Sequence, residues 1–540
     1  DITMKKNDRL DSRSVRSNSS QSKSMAIATI LVMIGLILSK STGFLRDIFV
    51  AQEFTDSLYR DSFTLSFTIP DFFFNLIIGG SIQAALTPSL SSAISAGEEK
   101  KGLRAVSTFI SIFGVIMLVV CTLGVVFAKE IYFIYSLTAS EANSEMVDLA
   151  ASASRMLFPQ IFFMMLAALC IGVLNAYKRF SSTAFGPTIY NVFVLLAIVL
   201  FAGNSRNALV QTTAGVMGAA FVYFLFQYFI GFDKLRMLRF NFAPKDPDFI
   251  ILLKKAVPIL ISASIVQINI LVLNSFATSF ASQGQIYALR NASTIWQLPY
   301  GVFAVAIGNV MLPSLAALYS ENKKKEASEL LSSRLKSALF LTIPSAIILV
   351  ILNVDVVKAI FQWGEAYTDS DAKRAGIYLI GYSIAVITHT VVFIMNQAFY
   401  AIGKTKIPLL SGCVGLVANP LLCFLFISLG LGPISLTFSY SLTSIVQLII
   451  LCVIYQKDKS LAPRDILRFI VKSAICVIVM GVIVYLVNML LPSSGGKIAQ
   501  LGLLALKCII AVIVYFACAL AFRMKEAIFW IDRVKAKGKR

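Results

Sequence analysis

Lys40, Arg46 and Asp47 stand near the end of the first long apolar run, in LSKSTGFLRDIFV (Leu38–Val50). Charges at such a place are costly if they face lipid. Arginine offers a planar fork of N–H donors that matches a phosphate bidentately, and lysine adds a compact positive charge. The chemistry these residues can do is anion binding, with the neighbouring acid keeping its base oriented. Lys40 and Asp47 are seven residues apart and share one helical face, as do Ser39 and Arg46. A second run opens with Arg60-Asp61 and holds Asp71, beside Pro70, and Asn75; Arg290 lies in a later run. Other readings stand beside this one. Arg46, Asp47, Arg60 and Asp61 also read as an ion cluster at the outer membrane boundary, and Lys40 and Arg290 as cations snorkelling to the interface. Asp71 is hardest to dismiss, because it lies within an apolar span. The single histidine, His389 in THTVVF, reads as a packing residue ahead of a proton relay.

The elements that position these residues follow from composition. The chain has 540 residues, of which 57% are hydrophobic and 14% charged, whereas a soluble domain carries about 25% charged residues. Apolar runs of roughly 20 residues recur along its length, enough to cross the hydrocarbon core of a bilayer. The alternating pattern of a membrane barrel is absent. This defines an all-α polytopic membrane protein. We count about fourteen transmembrane helices; the first two cover 25–46 and 62–92, and the seventh and eighth cover 250–279 and 285–317. Prolines and glycines inside them are tolerated where neighbouring helices or a wet cavity satisfy the freed backbone groups. The eight cysteines lie in apolar runs without a CxxC pair, which points to neither zinc nor disulfides.

The net charge of +20 is a loop property and not a nucleic-acid footprint. Six basic residues fall in the first 24 residues, every second loop after them is basic, and seven lie from Arg523 to the end. Cytoplasmic loops collect Lys and Arg, so both termini are expected in the cytoplasm. Residues 1–24 read as a disordered tail without the apolar core of a signal peptide.

An internal repeat sets the organisation. GGSIQAALTPSLSS and FAVAIGNVMLPSLAALYS share Leu-x-Pro-Ser-Leu, with Pro88 and Pro313 lying 225 residues apart. The same offset takes Ala176 onto Ala401 and Arg179 onto Lys404. It spans an even number of helices, so the two halves run parallel. The expected plan is a cytoplasmic tail (1–24), a six-helix lobe (25–230), a cytoplasmic linker (231–249) and a second six-helix lobe (250–456). Two additional helices (457–522) and a basic tail (523–540) complete it. Two parallel lobes around a central cavity predict an alternating-access transporter. No nucleotide motor accompanies them: Gly403-Lys404-Thr405 lacks the first glycine of a phosphate loop, because Ala398 stands there.

STGFLRDIFVAQEF, followed by RDSFTLSFTIPDFFFNLIIGGSIQAALTPSLSS, resembles the start of the MurJ (MviN) lipid II flippases. Gly-Phe-x-Arg-Asp, the Asp nine residues before Pro70, and LPSLAALYS at the close of the eighth span carry the resemblance. It implies an alternating-access flippase that moves the undecaprenyl-pyrophosphate-linked peptidoglycan precursor to the outer leaflet. It further implies cavity arginines on the pyrophosphate and a lipid-tail groove on the last two helices. Arg46, Asp47 and Asp61 match the family positions. Departures from the family stand out. Phe74 and Thr294 occupy places where the family commonly has arginine, and Gln297 replaces an acid. Lys40 replaces a common arginine, and Arg290, one turn before Thr294, is placed to substitute for the missing cation. Some relatives bind sodium through acids in the seventh, eleventh and twelfth spans, where this sequence has no Asp or Glu.

The expected function is therefore that of a lipid II flippase of the bacterial cytoplasmic membrane, a transporter and not an enzyme. Its expected substrate-binding residues are Lys40, Arg46, Asp47, Asp61, Asp71, Asn75, Arg290 and Thr294. No cofactor or metal is expected, with drive from membrane potential or an ion gradient. Expected partners are the lipid-linked anionic precursor and membrane lipids, with no nucleic acid, and the chain is expected to be a monomer. The alternatives are a flippase for a capsule or teichoic precursor, and, further off, a drug/cation antiporter, which would want net acid in its cavity.

Overall fold

The computed structural model describes residues 31, 34–35, 37–77, 81–137, 139–179, 183–458, 463–491 and 495–528. The expected tail 1–24 and the end of the tail 523–540 lie outside the described residues. Among the described residues every regular element is helical. Among these residues ten helices are long and apolar enough to cross a membrane, and Gly186–Phe201 and Gln267–Ala277 are shorter apolar ones. Several reach well past a bilayer core: Glu99–Val126 has 28 residues, about 42 Å at 1.5 Å per residue. Parts of the first and second expected spans lie outside the described residues, so the expected fourteen is neither met nor broken by this count.

The 225-residue offset recurs in the helix bounds. Ser81–Ser95 and Ala306–Ser320 are both 15-residue helices with a proline at the eighth position, Pro88 and Pro313. Glu99–Val126 is matched by Lys324–Ile351, and Ser144–Ala176 by Asp369–Ala401, with both ends at the same offset. A repeat that keeps both ends of three helices sets where each helix starts and stops, independently of which side chains fill it.

The chain forms two compact units, and they do not follow chain order. The first holds the described residues up to Phe54, with Ser66–Phe133 and Asp148–Ser264. The second holds Thr55–Leu65, Ile134–Val147 and the described residues from Ile265 on. Thr55–Leu65, with Arg60 and Asp61, thus folds with the later half of the chain.

Within the second unit an apolar core joins Leu331, Phe340, Met395, Tyr455 and Tyr515. The last two described long helices, Pro463–Leu490 and Lys497–Ala521, are fastened there by a buried ion pair. Lys507 is fully buried; its Nζ donates to Asp355 Oδ2 at 2.8 Å and to Asn488 Oδ1 at 2.7 Å. Taking a lysine out of water is costly unless it is paired and hydrogen-bonded, which this one is. In the first unit Ala167, Ile171 and Tyr223 form a smaller buried cluster.

Candidate functional site

The expected site residues fall into two groups, one within each unit. The first is built on the helix over 37–53. Arg46 is partly exposed and Asp47 is buried. Arg46 Nε and Nη2 donate to Asp47 Oδ1 at 3.0 and 2.9 Å. Its Nη1 donates to Asn191 Oδ1 at 3.3 Å. Asn191 lies in helix Gly186–Phe201 and gives its own amide to the Ser39 carbonyl at 3.1 Å. The guanidinium is thus held from two sides, and the fork keeps N–H groups without a partner among the described residues. Nearby in the same unit, Gln160 donates to the Tyr190 hydroxyl at 2.9 Å.

Other expected residues of this unit are more open. Lys40 and Asp71 are exposed. Asn75 turns its amide back to the Asp71 carbonyl at 2.8 Å, a backbone bond one turn away. Phe74, where the family commonly has arginine, is half-buried.

The second group lies in the second unit. Asp61 is 1% exposed. Its Oδ2 accepts the Gly284 N–H at 2.7 Å and its Oδ1 the Tyr287 N–H at 2.9 Å. Gly284 precedes helix Gln285–Pro299 and Tyr287 is its third residue, so neither N–H has a partner within the helix. A carboxylate there also meets the positive end of the helix dipole. Asp61 therefore holds the helix that carries Arg290 and Thr294. Arg60 is 3% exposed and pairs with Asp371 at 3.0 Å, between the rings of Tyr287 and Tyr367. Asp371 also closes a capping box with Thr368 and takes Arg374 at 2.8 Å. Thr294 Oγ1 bonds the Arg290 carbonyl at 3.1 Å, so its hydroxyl is turned onto its own helix. Arg290 itself is half-buried. After Pro299 the backbone widens into a π turn, Tyr300–Val305, before the helix resumes at Ala306.

Of the four charges, Arg46-Asp47 belongs to the first unit and Arg60-Asp61 to the second. Asn191 and Asp371 are not singled out by hydropathy or motif. The available signal for Asn191 is that it is the lone asparagine in the apolar stretch GPTIYNVFVLLAIVLF. His389 stacks on Tyr440, with ring centroids 4.8 Å apart, inside a cluster with Trp296 and Tyr300. Its Nε2 is buried with no hydrogen-bond partner among the described residues. Those residues include no group of three or more His, Cys, Asp or Glu placed to hold a metal.

A helical fold of apolar spans with cations and acids on them defines a polytopic membrane protein. The fold is similar to a solved lipid II flippase MurJ in an inward closed conformation (TM-score 0.76, 24% identity, covering 94% of this chain and 100% of that one). It is also similar to an inward-facing multidrug resistance MATE family transporter of the MOP superfamily (TM-score 0.66, 15% identity, 79% and 97% covered). Among curated proteins, the probable lipid II flippase MurJ of Buchnera aphidicola subsp. Acyrthosiphon pisum is 29% identical over 463 residues, 85% of this chain and 89% of that protein. The lipid II flippase MurJ of Burkholderia cenocepacia is 26% identical over 501 residues, 90% and 94% of the two chains. The family model described as lipid II flippase MurJ matches residues 50–506. The chain belongs to the MurJ family of lipid II flippases.

Proposed function

We propose that this lipid II flippase works by alternating access in the bacterial cytoplasmic membrane, with both termini in the cytoplasm, and carries its substrate from the inner to the outer leaflet. The observation that carries the reading is Arg46. A guanidinium braced by Asp47 and Asn191, with N–H groups left over, is prepared to take a pyrophosphate oxygen without first reorganising. Lys40 and Arg290 supply further positive charge to the head group, and Asp71 and Asn75 meet its sugar or peptide polar groups. Asp47 and Asp61 position: one holds Arg46, the other holds the helix bearing Arg290 and Thr294. The chain acts as a monomer, without a bound cofactor, driven by membrane potential or an ion gradient.

The test is depletion of the endogenous flippase in a host strain, with rescue by this chain scored as growth and outer-leaflet lipid II. Rescue by the wild type and loss with Arg46→Ala are expected, with Arg290→Ala impaired. Full rescue by Arg290→Ala removes that residue from the site. No rescue by a wild-type chain present in the membrane moves the substrate to a capsule or teichoic precursor.

A further inference from the structure

In the first unit, helices Glu99–Val126, Ser144–Ala176 and Arg206–Ile230 and the linker that follows them enclose a groove of about 610 Å³. One part of its lining is apolar, with Val115, Leu118, Phe162 and Leu166, and Val115 and Leu118 are open to the surroundings. Its mouth is basic: Arg236 and Arg239 line it, both exposed, and no acid does. Arg46, Arg60, Arg104, Arg179, Arg206 and Arg374 each meet a carboxylate. Arg236 and Arg239 have no such partner among the described residues.

The two arginines are not on a loose strand. Ser107 Oγ accepts the Arg239 N–H at 3.3 Å. Asn241 is tied to the same helix, its N–H to Ser111 Oγ at 2.9 Å and its side-chain amide to Thr108 Oγ1 at 2.7 Å. On either side of the two arginines the linker exposes Phe232, Phe240 and Phe242, with Phe240 78% exposed. Aromatic and basic residues interleaved on an exposed segment are the composition of a chain lying at the membrane–water interface. With the linker at that level, Ser107 to Leu118 adds about 16 Å of helix, about half of a 30 Å hydrocarbon core. The groove therefore runs from the interface to near the midplane, the reach of one leaflet's acyl chain.

We propose that this groove binds an anionic phospholipid of the leaflet that the linker borders. Its phosphate meets Arg236 and Arg239, and one acyl chain lies along Val115, Leu118 and Phe162. Basic pockets beside transmembrane helices take acidic head groups through such pairs. The apolar depth selects a lipid over free phosphate, and the unpaired arginines select an anionic lipid over a zwitterionic one. None of these residues belongs to the substrate site proposed above, so the inference stands whether or not that reading does.

The test is native mass spectrometry of the full chain in detergent, titrated separately with phosphatidylglycerol, phosphatidylethanolamine, a polyprenyl pyrophosphate and inorganic phosphate. Phosphatidylglycerol is expected to be held about tenfold more tightly than phosphatidylethanolamine, whose phosphate is the same but whose ammonium the two arginines repel. The Arg236→Gln/Arg239→Gln variant should lose that preference. Gly114→Leu should weaken the binding of both phospholipids. A Cβ at Gly114 meets only Met165 Cε, at 3.9 Å, so the larger side chain extends into the groove without touching the arginines. If the double glutamine variant fails to fold, Gly114→Leu decides. Equal retention of the two phospholipids overturns the proposal, as does a preference that survives these variants. Inorganic phosphate displacing the lipid at equal concentration, or polyprenyl pyrophosphate displacing it from the same arginines, also overturns it.

Discussion

Asp61 accepts the backbone N–H of Gly284 at 2.7 Å, although 223 residues of chain separate the two. With the bond to Tyr287 it leaves neither carboxylate oxygen idle. Asp61→Ala strands two buried donors, at about 1–3 kcal/mol each. We expect a clear fall in the thermal unfolding midpoint in detergent, and a smaller fall for Asp61→Asn, which keeps one acceptor. An Asp61→Ala protein that unfolds like the wild type but no longer transports would instead make Asp61 a direct substrate contact.

Gly284 itself is under a backbone constraint, with φ of +86°. A side chain there costs about 1–2 kcal/mol from the left-handed conformation alone, and its Cβ would run into the Arg374 guanidinium. Gly284→Ala should lower the unfolding midpoint, and Arg374→Ala in the same chain should return only the steric share. Unchanged stability in Gly284→Ala would show that this turn is not held as described.

Asn191 touches Arg46 and not, on the proposed reading, the substrate. Removing its acceptor frees one side of the guanidinium. Asn191→Ala should weaken lipid II binding about tenfold, the order of one hydrogen bond to a charged group, while the growth rescue survives. Arg46→Lys keeps the charge but loses the fork and should rescue poorly. If Arg46→Lys rescues fully, bidentate recognition at this position is wrong.

The Lys507–Asp355 pair tests how the last helices are held. Asp355→Ala leaves a buried ammonium without its counter-ion, a loss of about 3–5 kcal/mol. Lys507→Met with Asp355→Leu removes both charges and should recover most of it. The comparison needs only unfolding midpoints. A double variant as unstable as the single one would mean that the pair is not what costs the protein its stability.

By itself the sequence determined that the chain is an all-α membrane protein, that it repeats with an offset of 225 residues, and which of its spans carry charge. These are legible because they are local. A bilayer demands a run of apolar residues of fixed length, and a repeat shows as the same residues at one spacing, down to helix ends such as Ser81–Ser95 and Ala306–Ser320. The family was legible from Ser41 to Ser92 together with LPSLAALYS at the close of the eighth span, and Arg46-Asp47 with it. The partners were not. That Asp61 serves a helix end 223 residues away, that Asn191 braces Arg46, and that Lys507 is neutralised by Asp355 were decided by tertiary structure. Thr55–Leu65 joining the later unit belongs with them. A buried charge must find a counter-charge or a hydrogen bond wherever the fold brings one near, and hydropathy and spacing carry no record of where that is.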